Sequence, residues 1–490
     1  MHGAHAERYP FLLESVAHGT SAAPGILPAR YDMLFAFPGK TLVLAGNDTS
    51  HVSATSESPS SLAPAAPFVP GAANFLQALD DAWAHEAALS SAEVDPVLPF
   101  SGGWFIYLGY GLAAQIEPRL ALAGAETHGE ERDVLSGQEP LSTSRLPIAF
   151  ATRIPAAVIV DHHAQCTFLV AEDAVLLDRM AHDLEHLTVE PHAEVAAPIS
   201  ALQEDDPTRF LDGVRRVKEY IVAGDVFQVN LSRGYRATLA PDVSYMQLYQ
   251  GLRKNNPAPF AGVALYKGDA HGCASAVGGT TPEAASAILS SSPERLVRVQ
   301  GDVIEVRPIA GTRPRGMGDE DVALSQALLA HPKERAEHVM LIDLERNDLG
   351  RVCVPGSVQV DELMVLESYA HVHHIVSNVR GIKRPDVTPG QVIRAVFPGG
   401  TITGCPKVRC MEIIAELEQT PRGPYTGAMG YLNHNGNMDL NILIRTMLVE
   451  NGDVQFRVGA GIVADSVPDA ELQETRAKAR GLLLALGASE

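Results

Sequence analysis

Glu334 and Glu337 lie three residues apart in HPKERAEHVMLID, and Glu471 and Glu474 repeat that spacing in DAELQETRAKAR. Both stretches read as helix, so each pair of carboxylates shares one helix face. Two helices that each present two carboxylates can enclose a hard divalent cation. Mg²⁺ wants octahedral oxygen ligands and usually combines one or two protein carboxylates with waters and an anionic substrate. On spacing alone, four solvated surface glutamates are the commoner outcome of such a pattern. The segments around them have to decide.

Arg445 sits in NILIRTM, flanked by apolar residues that predict a buried strand. A buried arginine needs an anion. FPGGTITGCPKVRCMEIIAELE (397–418) joins a Gly-rich loop to a helix, a place where backbone N–H groups meet an anion, although the P-loop spacing is absent. VGAGIVADS (458–466) lacks the third glycine of a dinucleotide fingerprint but suits close approach of backbone to a ligand. Paired histidines such as His373 and His374 are more often structural than catalytic. H-E-x-x-H, G-x-S-x-G and C-x-x-C are missing, so metalloprotease, serine hydrolase and redox-thiol chemistry have no support.

Composition narrows the partners. The 490 residues carry 59 acids against 38 bases, a net charge of −21, which argues against nucleic acid or an anionic membrane as partner. An anionic substrate then needs local Arg or Lys, backbone N–H groups or a metal. Cys166, Cys273, Cys353, Cys405 and Cys410 form no C-x-x-C and leave an odd count, as expected of reduced thiols in the cytoplasm. The start MHGAHAERYPFLLES has no apolar signal core and no run of 18 apolar residues occurs, so no membrane span is expected.

The elements that must position these groups read as α+β, with strands in runs and helices between them. The polar, acidic stretch 189–207 makes the best boundary, giving an N-terminal region 1–200 and a second region 205–486. Asp206 and Pro207 open a helix with apolar residues at 210, 214, 217 and 221, and Gly224 closes it. A strand VFQVNLS (226–232) follows, then β-rich runs over 257–310 and one long helix or two over 321–347. Strands are expected at 427–432, 441–449 and 454–463, and a last helix at about 468–486. PAAVIVDHHAQCTFLVA (155–171) reads as a hairpin. Residues 49–69 and 120–140 read as loops.

RPIAGTRPRG, ERAEHVMLIDLERNDLGRV, HHIVSNVRG, FPGGTITGCPKVR, IRTM and GAGIVADSVPDAELQETRAKA follow in this order between residues 307 and 479. Together they resemble the chorismate-utilising enzymes, component I of anthranilate synthase or of aminodeoxychorismate synthase. The resemblance is strong over 205–486 and looser at RYPFLLES and GGWFIYLGY. It implies large β-sheet layers with flanking helices. It implies that Glu337 and Glu474 bind Mg²⁺ directly, with Glu334 and Glu471 behind them holding metal waters. The ring carboxylate of chorismate would sit on that ion and on Thr401 with the N–H groups of Ala460 and Gly461. Arg445 and Tyr431 would take the enolpyruvyl carboxylate, and Lys407 would join the substrate-binding set. Glu294, in SSPERL, would be the general acid for the departing C4 hydroxyl, and His374 would stand near the reacting ring.

Isochorismate and salicylate synthases of the same superfamily carry, where Gln228 sits, a lysine that activates water. Glutamine cannot act as a base. The resemblance therefore implies ammonia as the nucleophile, supplied by a separate glutamine amidotransferase subunit. Many aminodeoxychorismate synthases carry a nucleophilic lysine in PIKGT; here the motif is PIAGT, with Ala310. That residue points towards anthranilate synthase. VNLS, NPAPFAG (256–262), GGTITG and GGW point the other way and outweigh it, so aminodeoxychorismate synthase component I is the expectation. Anthranilate synthase component I is the alternative, and an inactive chorismate-binding regulatory homologue is the third reading. LLES, with Leu13, Glu14 and Ser15, resembles the tryptophan-binding motif of anthranilate synthases. Ala261 replaces the methionine of feedback-regulated enzymes, which argues against tryptophan inhibition.

Overall fold

The computed structural model describes residues 1–16, 20–21, 30–45, 52–55, 74–89, 98–122, 144–188, 198–267, 285–316, 318–368 and 372–488. Its frame is two large antiparallel sheets. The first runs from Ile199–Glu204 through Gln228–Leu239, Asp453–Ile462, Thr446–Glu450, Ala285–Ser292, Phe260–Lys267, Phe11–Glu14, Tyr31–Ala36 and Ala156–Asp161 to Cys166–Ala171. The second runs from Thr20–Ser21 through Gln359–Ser368, Val372–Ile382, Val303–Val306, Arg295–Gln300, Met438–Ile442, Ala428–Asn433, Gly103–Leu108, Ala149–Ile154 and Thr41–Leu44 to Val52–Thr55. Each sheet takes strands from both sides of residue 200, so the sheets run across the boundary read from composition.

The sheets face each other through an aromatic core. Phe11 of the first stacks on Phe105 of the second, with ring centroids 4.0 Å apart, and Phe35, Phe100, Phe150 and Tyr431 complete the layer. Helices Phe75–Leu89, Pro332–Gly350 and Pro389–Val396 cover the outer face of the second sheet. Helices Tyr245–Asn255 and Pro468–Ala485 cover the first. This is the expected α+β layering. No helix among the described residues is long and apolar enough to cross a membrane.

Local signals account for the elements they predict. Pro207–Ala223 is a helix whose Asp206 side chain accepts from the Thr208 N–H, whose buried face is Phe210, Gly213, Val214 and Val217, and whose Gly224 closes it with φ +83°. Ala156–Asp161 and Cys166–Ala171 form the hairpin. The long helical stretch is two helices, Asp319–Ala330 and Pro332–Gly350, separated at His331 because Pro332 cannot donate to the preceding turn. One loop reading changes, and the boundary stretch holds a strand. Val52–Thr55 pairs with Thr41–Leu44 as an edge strand. The polar stretch Ile199–Glu204 is also an edge strand, where alternation needs only one covered face and Glu204 pairs with Arg233 and Arg476. The other residues of 49–69, and 123–140, lie outside the described residues.

Candidate active site

Two chain crossings between the sheets build the centre of the site. Ser292 ends a strand of the first sheet and Arg295 begins one of the second, so Glu294 sits in the passage between them. Ile442 ends a strand of the second sheet and Thr446 begins one of the first, so Arg445 sits in the return passage. Arg445 is therefore not within the continuous strand expected over 441–449. It adopts φ +51°, the backbone price of turning from one sheet to the other. The crossings are bonded together: the Ile442 N–H donates to the Glu294 carbonyl at 3.0 Å, and the Ser291 N–H donates to the Arg445 carbonyl at 3.1 Å.

This enclosure sets the charges. Burial pushes Glu294 up to about 7, against the opposing pull of the Thr401 hydroxyl, the Ile309 N–H, Arg445 and Lys478. Thr401 is near enough to act on the carboxyl, yet its buried Oγ1 makes no well-formed hydrogen bond. Burial also lowers Arg445, with Glu294 opposing, and no side-chain hydrogen bond to the guanidinium occurs among the described residues. His374 pairs in register with Thr312 across the sheet, and its ring donates to the Gly311 carbonyl. Burial first, and Arg445 second, lower it to about 3, so the imidazole is neutral at physiological pH. Ala310 is buried one residue from both Ile309 and Gly311, so position 310 belongs to the same wall.

The Gly-Ala-Gly segment is glycine for a packing reason. A β-carbon on Gly461 would stand 2.3 Å from Gln228 Nε2 and 3.5 Å from Glu337 Oε1. One on Gly459 would stand 2.5 Å from both the Tyr425 hydroxyl and Asn230 Oδ1. The strand Asp453–Ile462 pairs along one edge with Gln228–Leu239, but on its other edge pairing with Thr446–Glu450 stops at Phe456. The open edge at Ala460 and Gly461 suits the expected carboxylate contact.

Two of the four glutamates are tied to this strand end, Glu337 beside Gly461 and Glu474 through Lys478, while Glu334 lies beside Gly311. Gln228 Nε2 donates to Glu337 at 2.9 Å, and its buried Oε1 has no hydrogen-bond partner among the described residues. Glu334 pairs with Arg313 at 3.3 Å. Glu471 is buried in the first turn of Pro468–Ala485. Glu474 is exposed and pairs with Lys478 at 2.7 Å, while Lys478 also donates to the Gly459 carbonyl at 3.1 Å. Among the described residues no three acidic, His or Cys side chains converge as a metal cluster. The donor chemistry fits a hard cation. Glu337 and Glu474 flank the same strand end, each held by a polar or cationic neighbour that an ion would replace.

Two placements differ from the sequence expectations. Tyr431 packs in the aromatic core against Phe35 and Phe100, because alternation along Ala428–Asn433 turns it inward between the sheets. Tyr425, which the sequence reading passed over, is the tyrosine whose hydroxyl reaches the Gly-Ala-Gly strand. Lys407 turns to the buried Asp348 at 2.5 Å and to the Val396 carbonyl at 3.3 Å. Lys478 was also missed, although its i, i+4 spacing from Glu474 was visible. At the N-terminal segment, Glu14 lies opposite Ala261 and is held by Arg253 at 3.0 Å and the Tyr249 hydroxyl at 2.8 Å. Ser15 donates to the Pro259 carbonyl, and Leu13 lies between Gly262 and Met33.

The chain is similar to known proteins. Residues 50–484 match the family model described as chorismate binding enzyme. A Synechocystis protein named anthranilate synthase component I-like protein is 43% identical over 391 residues, 79% of this chain and 73% of that protein. Aminodeoxychorismate synthase component 1 of Bacillus subtilis is 48% identical over 282 residues, 57% of this chain and 56% of that protein. The crystal structure of anthranilate synthase component I from Streptococcus pneumoniae superposes with a TM-score of 0.72 at 28% identity, covering 94% of each chain. A match over nearly the whole chain, to proteins of the same layered fold, settles the family: the chain belongs to the chorismate-binding enzymes.

Proposed function

We propose that the chain is component I of an aminodeoxychorismate synthase. It would aminate chorismate at C4, using ammonia from a separate glutamine amidotransferase subunit, to give 4-amino-4-deoxychorismate for 4-aminobenzoate and folate synthesis. The observation that carries the reading is Glu294. A carboxyl enclosed between two sheet crossings and pushed up to about 7 can protonate a leaving hydroxyl at neutral pH. Arg445 beside it supplies a buried cation for a substrate carboxylate. The neutral His374 adds polarity without adding charge. Gln228, unable to act as a base, disfavours water as the nucleophile.

Mg²⁺, when bound, would hold the ring carboxylate and stabilise negative charge on the substrate. Glu337 and Glu474 are its proposed direct ligands, with Glu334 and Glu471 behind them. Thr401 Oγ1, buried and in no well-formed hydrogen bond among the described residues, is available to the same carboxylate. Support for C4 comes from the 48% identity to aminodeoxychorismate synthase component 1 of Bacillus subtilis over 282 residues. Ala310 in the site wall has no amine, so ammonia would displace the hydroxyl without a lysine–substrate adduct. That same alanine favours the second reading, anthranilate synthase component I, whose name many relatives of the family carry.

The test is consumption of chorismate by the purified chain with ammonium and Mg²⁺. Glu337→Gln and Glu474→Gln each remove one charge with little change in size and should lower kcat/KM by about 10- to 100-fold or more. Full turnover in excess EDTA would refute the metal assignment.

A further inference from the structure

Behind the site lies a second pair of acids that the reaction as described does not use. Glu345 and Asp348 are three residues apart on Pro332–Gly350, and both are buried. Among the described residues one cation faces them from within the fold, Lys407 at the start of helix Lys407–Glu418, 2.5 Å from Asp348 Oδ2. Among the described residues Asp348 Oδ1 makes no hydrogen bond, and the largely exposed Arg351 is 3.8 Å from it. Glu345 accepts from the Gly400 N–H, and a β-carbon on Gly400 would stand 3.1 Å from Glu345 Oε1. Gly400 is followed by Thr401, whose hydroxyl acts on Glu294. The groups that face the pair are thus Lys407, Arg351, Glu294 and the Cys405 thiol.

Two buried carboxylates cannot both stay ionised beside one ammonium. Lys407 bonds Asp348 and not Glu345, so Asp348 takes the negative charge. Burial and the adjacent Asp348 push Glu345 upward, with Glu294 adding in the same direction. The remaining proton therefore rests on Glu345, next to the turn that carries Thr401.

We propose that Glu345, Asp348 and Lys407 form a positioning unit for the reaction. Glu345, as a neutral acid, anchors the Gly400–Thr401 turn against Glu294 without placing a second negative charge beside it. The Asp348–Lys407 pair is what keeps Glu345 neutral. This rests on the reading of Glu294 as the general acid, but the protonation of Glu345 can be read without turnover.

Infrared difference spectra at neutral pH give that reading. The wild type should show a buried carboxylic-acid carbonyl band that survives Glu294→Gln and disappears in Glu345→Gln. In Asp348→Asn, Lys407 is left with Glu345 as its carboxylate. The band should vanish, and the basic limb of the kcat/KM profile should move up by about one pH unit, a tenfold change in the ionisation ratio of Glu294. Asp348→Asn with Glu345→Gln should show no upward move. A purely structural role would lower stability and leave both the band and the limb in place. An acid band unchanged by Glu345→Gln overturns the proposal, and so does an Asp348→Asn protein that keeps band and limb. If Asp348→Asn does not fold, the Glu345→Gln spectrum decides alone. If the wild type consumes no chorismate, the proposed function fails while the spectra still test the unit.

Discussion

Glu294→Gln should fold normally and lose about 10²- to 10⁴-fold in kcat, the range expected when a general acid is removed, with little change in KM. Glutamine keeps the size and the neutral hydrogen-bonding character of the protonated acid but has no proton to give. The wild-type profile carries the matching signature. Glu294 must be protonated to act, so kcat/KM should fall as pH rises through about 7. The sign for stability follows from the same shift. The carboxyl is raised from an ordinary 4.5 to about 7, so the folded protein holds this proton more tightly than the unfolded chain does. Its contribution is present at low pH and lost as pH climbs from 4.5 to 7, by about 3 kcal/mol at most. At pH 8 Glu294→Gln should therefore be at least as resistant to urea as the wild type, although nearly inactive. A variant within tenfold of wild-type kcat would remove Glu294 from the role of acid.

Arg422→Met should destabilise the protein by about 3–5 kcal/mol, the cost of leaving a buried charge without its partner. Arg422 and Glu418 are both almost fully buried and stand 2.7 Å apart. The guanidinium also donates to the Ile402 and Asn230 carbonyls and to Thr426 Oγ1, so every side of it is used. Burial alone would raise Glu418, but Arg422, Arg457 and the Ser232 hydroxyl outweigh it and hold the carboxyl below its usual range. The stability that the ionised carboxyl contributes is present at neutral pH and is lost as pH falls through its folded value. Because Arg422 ties Ile402 to the strand Gln228–Leu239, the Thr401 turn should loosen as well and kcat should drop. Urea titration of Arg422→Met, Glu418→Met and the double variant checks this. The double variant should lose less than the sum of the singles. Additive losses would show that the two charges do not depend on each other.

What could be read from the chain depended on how far apart the interacting residues lie. The helix Pro207–Ala223 was legible because its cap, first-turn proline, apolar face and terminal glycine are all local. The two carboxylate pairs were legible for the same reason. The sheet crossings were not. Pro293 beside Glu294 marks a break but not a change of sheet, and Arg445 follows the apolar run Ile442–Ile444 with no Gly or Pro beside it, so NILIRTM reads like an unbroken buried strand. Tyr431 and Tyr425 are six positions apart, and only strand pairing tells which one faces the core. Glu418 and Arg422 have the spacing of an ordinary surface pair. Their burial comes from Asn230 and Ser232 on a strand far back in the sequence. Lys407 and Asp348 are likewise joined only by the fold.

The central claim is the amination of chorismate at C4, and the product tests it most directly. The purified chain, given chorismate, Mg²⁺ and ammonium, should release a compound that mass spectrometry identifies as 4-amino-4-deoxychorismate with the enolpyruvyl group retained. Pyruvate and 4-aminobenzoate should form only after a separate lyase is added, and glutamine should replace ammonium only when an amidotransferase subunit is present. Release of pyruvate and fluorescent anthranilate by the chain itself, as the main product, would contradict the account and establish the C2 reaction in its place.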